Sequence, residues 1–136
     1  MSEPSSPVRL RLAQQFLVAL GQGDISSAVP MLAPSASLRV PGHHAFAGEF
    51  TSPEEICKHL HLLAERTVRT FDVEKWEDWL VGDRHVASIA EVRAQEDVRL
   101  YAGRQLILLR FNAAHLIDGI TIFFEDLDAI ARFAGQ

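Results

Sequence analysis

With 136 residues, 48% of them apolar, the chain is long enough for one compact domain that buries a core without disulfide or metal staples, and short for two. A formal net charge of -5, with arginines scattered rather than gathered into a stripe, argues against nucleic acid as a partner. The single cysteine, Cys57, precludes an internal disulfide. No apolar stretch approaches the roughly 18 residues of a membrane span, and the first residues lack the charged and apolar regions of a signal peptide. The expectation is a soluble, cytoplasmic protein with no membrane partner.

Residues 1–6 read as a disordered tail and 7–136 as one domain. Pro7 opens a first helix running to Leu20, in which Val8, Leu12, Phe16 and Leu20 recur every four residues until Gly21 and Gly23 stop it. Asp24 caps a shorter helix limited by Pro30 and Pro34, and "SASLRV" then alternates as a strand that Pro41-Gly42 ends. Ser52-Pro53-Glu54-Glu55 is a capping box, with Ile56, Leu60 and Leu63 marking the apolar face of a third helix over 53–66. From Val68 the period becomes two, predicting strands near 69–81, 85–96, 99–115 and 120–125 with turns at Gly82-Asp83, Glu96-Asp97 and Asp118-Gly119. Helices followed by long hairpins predict an α+β layout, with the helices on one side of an antiparallel meander. Asp128, ahead of Asp126, is the expected N-cap of a final helix over "AIARF". Trp76 and Trp79 are placed on opposite strand faces, one in the core and one at a subunit interface.

Four segments, "LGQGDISSAVPMLAPSASL", "VPGHHAFAGEFTSPEEI", "YAGRQLILLRF" and "DGITIFFEDLDAIARF", together resemble the SnoaL-like branch of the nuclear transport factor 2 superfamily, which also holds ketosteroid isomerases and limonene-epoxide hydrolases. The resemblance implies a cone-shaped, curved antiparallel sheet wrapped around three N-terminal helices, with an apolar pocket inside. It also implies a homodimer, because the family commonly pairs its sheets.

The positions where ketosteroid isomerases carry a tyrosine and an aspartate base are Phe16 and Val40, so that enolisation machinery is missing in its usual form. The limonene-epoxide hydrolase pattern of Arg-x-Asp falls on Arg93-Ala94-Gln95, where the acid has become an amide that orients a group but donates no acidic proton. That family's second aspartate corresponds to Glu125 in Phe123-Phe124-Glu125-Asp126. Strand alternation groups Thr121, Phe123 and Glu125 on one face. By the resemblance this face lines the pocket, with Arg93 and Gln95, Ser37 and Arg39, and Leu106, Leu108, Arg110 and Asn112 facing it from their own strands. His43 and His44 fall at the pocket mouth, where imidazole could move protons. Arg93 has a competing reading as half of a cross-strand ion pair. His59, His61 and His85 show no ligand spacing, so no metal site is expected.

These residues predict a small cofactor-independent enzyme that cyclises or isomerises a hydrophobic, oxygenated, polyketide-like metabolite by proton transfer. Glu125 would be the acid or base, Arg93 with Arg39 or Arg110 would hold an oxyanion, and Gln95 would orient a carbonyl or water. Phe16, Leu106, Leu108 and Phe123 would supply apolar wall and Asn112 a polar contact. The alternatives are an epoxide hydrolase or epoxide-opening cyclase, and a non-catalytic dimeric module that binds a small ligand.

Overall fold

The helical first third and the β-rich remainder meet around a single six-stranded sheet of order β2-β1-β6-β5-β4-β3 in the computed structural model, which describes residues 6–66, 72–96 and 98–135. In chain order the elements are α1 (Ser6–Gly21), α2 (Ile25–Ala28), a 3-10 turn (Val29–Met31), β1 (Leu32–Val40), β2 (Gly48–Phe50), α3 (Pro53–Arg66), β3 (Asp72–Val81), β4 (His85–Glu96), β5 (Arg99–Phe111), β6 (Ile117–Phe124) and α4 (Leu127–Ala134). The predicted tail at 1–5 and the start of the strand expected near 69 lie outside the described residues.

The α+β class stands, and the sheet is curved and open. It is not wholly antiparallel, however. β1 runs parallel to β6, with Leu38 beside Ile120 and Arg39 beside Thr121, while the other neighbours are antiparallel. Parallel pairing needs a long crossover, and the stretch from β2 to β5 supplies it.

The helix ends follow side-chain chemistry. Asp24 accepts a hydrogen bond from the Ser27 N–H at 3.3 Å, and Ser52 accepts one from the Glu55 N–H at 3.2 Å, while Glu55 reaches back to the Thr51 N–H at 2.8 Å. At α4 the capping residue is Asp126 rather than Asp128, its Oδ1 accepting from the Ala129 N–H at 2.9 Å. β6 ends at Phe124, so Asp126 falls at the turn while Asp128 lies in the first helical turn, where its charge suits the helix dipole.

Register at β3 corrects the tryptophans. Trp76 pairs with Ala90 and Trp79 with Ser88, with a slip between Trp76 and Asp78. That irregularity puts both rings on one face, stacked with centroids 5.1 Å apart and planes 26° apart.

At one end of the sheet the core is sealed. Phe111 and Ile117 are buried there, and the guanidinium of Arg9, itself buried in α1, donates to the Asp83 carbonyl and, at 3.2 Å, to the Asn112 carbonyl.

Candidate functional site

The register shows that the residues grouped by alternation do share one face, and that the face is the outer one. Arg39 lies beside Thr121, Thr121 beside Leu108, and Leu108 beside Ala87; one step along, Phe123 lies beside Leu106 and Leu106 beside Ile89. The residues between them, Ile120, Ile122, Phe124, Ile107 and Leu109, are buried against the helices. β6 carries large apolar side chains on both faces, so its periodicity separates two sets without saying which points inward.

The placement of the predicted site residues follows. Glu125 has a side chain 60% exposed and lies 3.6 Å from the Arg104 guanidinium. Arg93 is exposed and pairs with Glu74 at 3.4 Å, matching its competing reading as half of a cross-strand ion pair, and Gln95 is exposed on the same face. Pairs this exposed contribute about 0–1 kcal/mol. Arg39 is exposed, and Arg110 binds Asp118 at 2.7 Å. Asn112 uses its Oδ1 to accept from the Ala114 and Leu116 N–H groups at 2.9 and 3.0 Å, which shapes the turn before β6. Leu106, Leu108 and Phe123 form part of the outer surface. The expected convergence of Glu125, Arg93 and Gln95 inside a pocket is therefore corrected: strand pleating turns Arg93 and Gln95 outward, and Glu125, in the bend after β6, is exposed. Phe16 is fully buried on the inner side; of the two loop histidines, His43 is exposed and His44 is buried.

The concave side holds a different set of polar groups. Gln105 lies between Ala90 and Phe124 in register, half-buried on the inner face. Ser88 Oγ, His44 Nε2 and His59 Nε2 are buried with no hydrogen-bond partner among the described residues. Tyr101 packs edge-on to Phe124 and against Phe133, its hydroxyl lying over Gly103, where a Cβ would come within 2.8 Å of the oxygen. Burial, reinforced by the carboxylates of Asp126 and Glu125, pushes this phenol up to about 12. Exposure rises slightly toward the same end: Leu109 and Phe111 are 0% exposed, whereas Ile107, Ile122 and Phe124 keep 8%, 6% and 8%.

Two histidines meet at one residue. The Phe46 N–H donates to His44 Nδ1 at 3.2 Å, which leaves the His44 proton on Nε2. His59 makes a backbone hydrogen bond to Phe46; because its Nε2 has no partner, the Nδ1–H donates to the carbonyl and Nε2 keeps its lone pair. The His59 ring stacks on Phe50, centroids 4.0 Å apart, and His44 lies edge-on to Phe124 at 5.8 Å. The Pro41 carbonyl approaches His44 without satisfying Nε2. Composition hid Gln105, Ser88 and Tyr101, but His59 had a signal: it falls between Ile56 and Leu60 on the apolar stripe of α3.

Burial lowers both histidines below the ordinary 6.5, with the Pro41 and Phe46 backbones opposing weakly. Unfolding restores the higher value, so the unfolded chain binds more protons below it. Stability from these rings is thus complete above pH 6.5 and is lost as pH falls through the lowered folded values. The Tm gap between the native chain and a His44→Asn/His59→Asn double variant is expected to shrink steadily on acidification from pH 7 to 5. A gap independent of pH would show that the rings are not held neutral.

No protein-family model matches the chain, and no curated protein matches it by sequence. Solved structures do match. Bal32a, from a soil-derived mobile gene cassette, is 20% identical with a TM-score of 0.88, covering 96% of this chain and 98% of its own. An NTF2-like protein from Burkholderia xenovorans LB400 is 15% identical with a TM-score of 0.85, covering 98% and 100%. A protein from Jannaschia sp. CCS1 assigned to the SnoaL-like polyketide cyclases is 12% identical with a TM-score of 0.79, covering 100% and 98%. Among the described residues no helix is long and apolar enough to cross a membrane. The chain thus has the nuclear transport factor 2-like fold, the fold of SnoaL-like proteins.

Proposed function

We propose that the protein takes a hydrophobic, oxygenated metabolite against the concave face of its sheet and moves a proton on it, in a cofactor-independent cyclisation or isomerisation. One observation carries this reading: among the described residues His44 Nε2, His59 Nε2 and Ser88 Oγ are buried without partners on the helix-covered side of a sheet whose core is largely apolar. A buried polar group without a partner costs about 1–3 kcal/mol, and a ligand bearing oxygens would satisfy it. An apolar cavity with a few convergent polar groups is the usual form of a small-molecule site. The likeness to a SnoaL-like polyketide cyclase agrees with the reaction class.

Epoxide hydrolysis in its family form is less favoured, because it would need Arg93, Gln95 and Glu125 within the pocket. A binding module without turnover is the second reading, and the outward placement of that trio is the observation that favours it. In either case a second copy of the chain is proposed for the outer face.

The probe for the site is 1-tetralone, a neutral bicyclic ketone, with 1-naphthoate as its anionic counterpart. Arg9, the buried cation at the sealed end, already gives its two Nη groups to carbonyls and keeps only its Nε without a partner among the described residues, so the neutral ketone is expected to bind better than the anion. At a hundredfold excess over Kd the ketone is expected to stabilise by about 2.7 kcal/mol, raising Tm by several degrees and saturably. Equal shifts from both compounds, or none from either, would contradict the proposal.

A further inference from the structure

We propose that His44 is a proton-operated latch on the 41–47 loop: protonation turns its Nδ1 from acceptor into donor, breaks its bond to the Phe46 N–H and drives the ring out of its seat beside Phe124, while His59 goes on holding Phe46 from the other side. The latch follows from the geometry of the loop and does not depend on the concave-site reading. If that reading holds, the latch also governs access to the end of the inner face beside Phe124.

The backbone of one residue is gripped by two imidazoles in opposite roles. The Phe46 N–H donates to His44 Nδ1 at 3.2 Å, so His44 holds the loop as an acceptor. His59 bonds the Phe46 backbone in the sense that favours its charged form, as a ring N–H donating to a carbonyl does. The two rings therefore answer a proton differently. A protonated His59 keeps its Nδ1–H, and its bond to the carbonyl becomes charge-assisted. A protonated His44 has no acceptor left. Both nitrogens of an imidazolium donate, so no ring flip restores the bond, and the new Nδ1–H would face the Phe46 N–H directly.

The seat has little to hold an imidazolium. His44 is 7% exposed and lies edge-on to Phe46 and Phe124, with centroids 6.2 and 5.8 Å away. Gly42, at φ +128, sits so close that a Cβ there would come within 2.8 and 2.9 Å of the His44 Cδ2 and Nε2. Burial holds the ring below the ordinary 6.5, opposed weakly by the Pro41 carbonyl, and no carboxylate among the described residues acts on it. The charged groups on the surrounding elements face solvent or are engaged elsewhere. Arg39 on β1, His43 in the loop and Arg132 on α4 are exposed, Glu125 pairs with Arg104, and Asp126 and Asp128 serve the start of α4. The Tyr101 phenol behind Phe124, pushed up to about 12, stays neutral throughout. The closed seat is thus fully populated above pH 6.5 and is lost as pH falls through the lowered folded value.

Release stays local because the other ties remain. His59 keeps the Phe46 backbone, the Ala45 N–H keeps the Gly135 carbonyl at 2.9 Å, and the Ala47 N–H keeps the His44 carbonyl at 3.0 Å. Phe46 also leans on Phe133, with centroids 6.2 Å apart. The loop stays docked and only the His44 ring leaves, opening the space between Gly42 and Phe124. This is a local change of charge with a local readout, as in other histidine switches.

The test is amide hydrogen exchange followed by NMR between pH 7 and 5, each rate being compared with the intrinsic rate at that pH. Protection of the Phe46 N–H is expected to fall below pH 6.5, by up to about tenfold per pH unit for the uptake of one proton, while amides at the centre of β5 keep theirs. His44→Asn, whose side-chain carbonyl accepts from the Phe46 N–H without titrating, should make that protection independent of pH. His59→Asn should leave the fall in place. Constant protection in the native chain, a fall shared with β5, a fall that survives His44→Asn or one that His59→Asn abolishes would overturn the latch. Nitrogen NMR of the native chain at pH 7 gives a check that needs no variant: the expected tautomers are Nε2–H for His44 and Nδ1–H for His59, and the same tautomer in both rings would overturn it too. None of these results bears on ketone binding, which the 1-tetralone titration reads separately.

Discussion

Replacing Phe133 by alanine is expected to destabilise the protein by about 3–5 kcal/mol, the usual cost of removing a buried aromatic ring. Phe133 is 2% exposed on α4, between Ile130 and Ala134, which are both 0% exposed. Its ring packs against Phe46 and Tyr101, each with centroids 6.2 Å away, so its loss opens a cavity beneath Phe46 and beside the buried phenol. Urea denaturation measures the stability directly. A second readout is unusually clean, because Tyr101 is the one tyrosine in the chain. Its ionisation, held up to about 12 by burial and by the Asp126 and Glu125 carboxylates, should move back toward 10.0 in the variant as water reaches the ring. A loss under about 1 kcal/mol with an unshifted phenol would mean that α4 does not seal this end.

The second large effect concerns the outer face. Ile89, Leu106, Leu108 and Phe123 are neighbours there by register, and Phe123 is 42% exposed. The ion pairs of Arg104 with Glu77 and Glu125 lie on the same sheet as a charged border. An apolar centre with a charged border is the anatomy of a protein interface. A two-fold dimer at micromolar concentration is expected by light scattering. Phe123→Asp should raise the dimer Kd by about 100-fold or more, in the range for a central aromatic anchor. Its stability as a monomer should change little, because the ring is half in solvent. A native chain that stays monomeric at tens of micromolar, or a variant that dimerises equally well, would remove the interface.

How much of this was legible in the sequence depends on what each signal encodes. Periodicity and caps located the helices at Pro7, Asp24 and Ser52 and the long strands after residue 72, because those signals are local; the turn expected at Asp118-Gly119 instead lies at 112–116, held by Asn112, and both residues belong to β6. Alternation grouped Thr121, Phe123 and Glu125, and the resemblance joined Ser37, Arg39, Arg93, Gln95, Leu106, Leu108, Arg110 and Asn112 to them; the register keeps Arg39, Leu106, Leu108, Thr121 and Phe123 on one face, while Asn112 lies in the turn before β6. The sense of the grouping came out reversed because β6 is apolar on both faces, and a period of two carries no direction when a second apolar surface competes with the core. The parallel β1–β6 pair and the slip that brings Trp76 and Trp79 together depend on pairing across the chain, which no local pattern reports. His59 was visible as a polar residue in an apolar stripe. Its importance emerged only when the loop returned Phe46 to its side.

If small-molecule chemistry belongs to the concave side and assembly to the outer side, adjacent residues of β5 separate the two. Ile107 and Leu109 point inward while Leu106 and Leu108 point outward. Methyl-resolved NMR of isoleucine- and leucine-labelled protein titrated with 1-tetralone reads both faces in one spectrum. Saturable shifts are expected at Ile107 and Ile122 on the inner face, with Leu106, Leu108 and Ile89 unmoved. Shifts at those three outward methyls, with Ile107 and Ile122 silent, would contradict it.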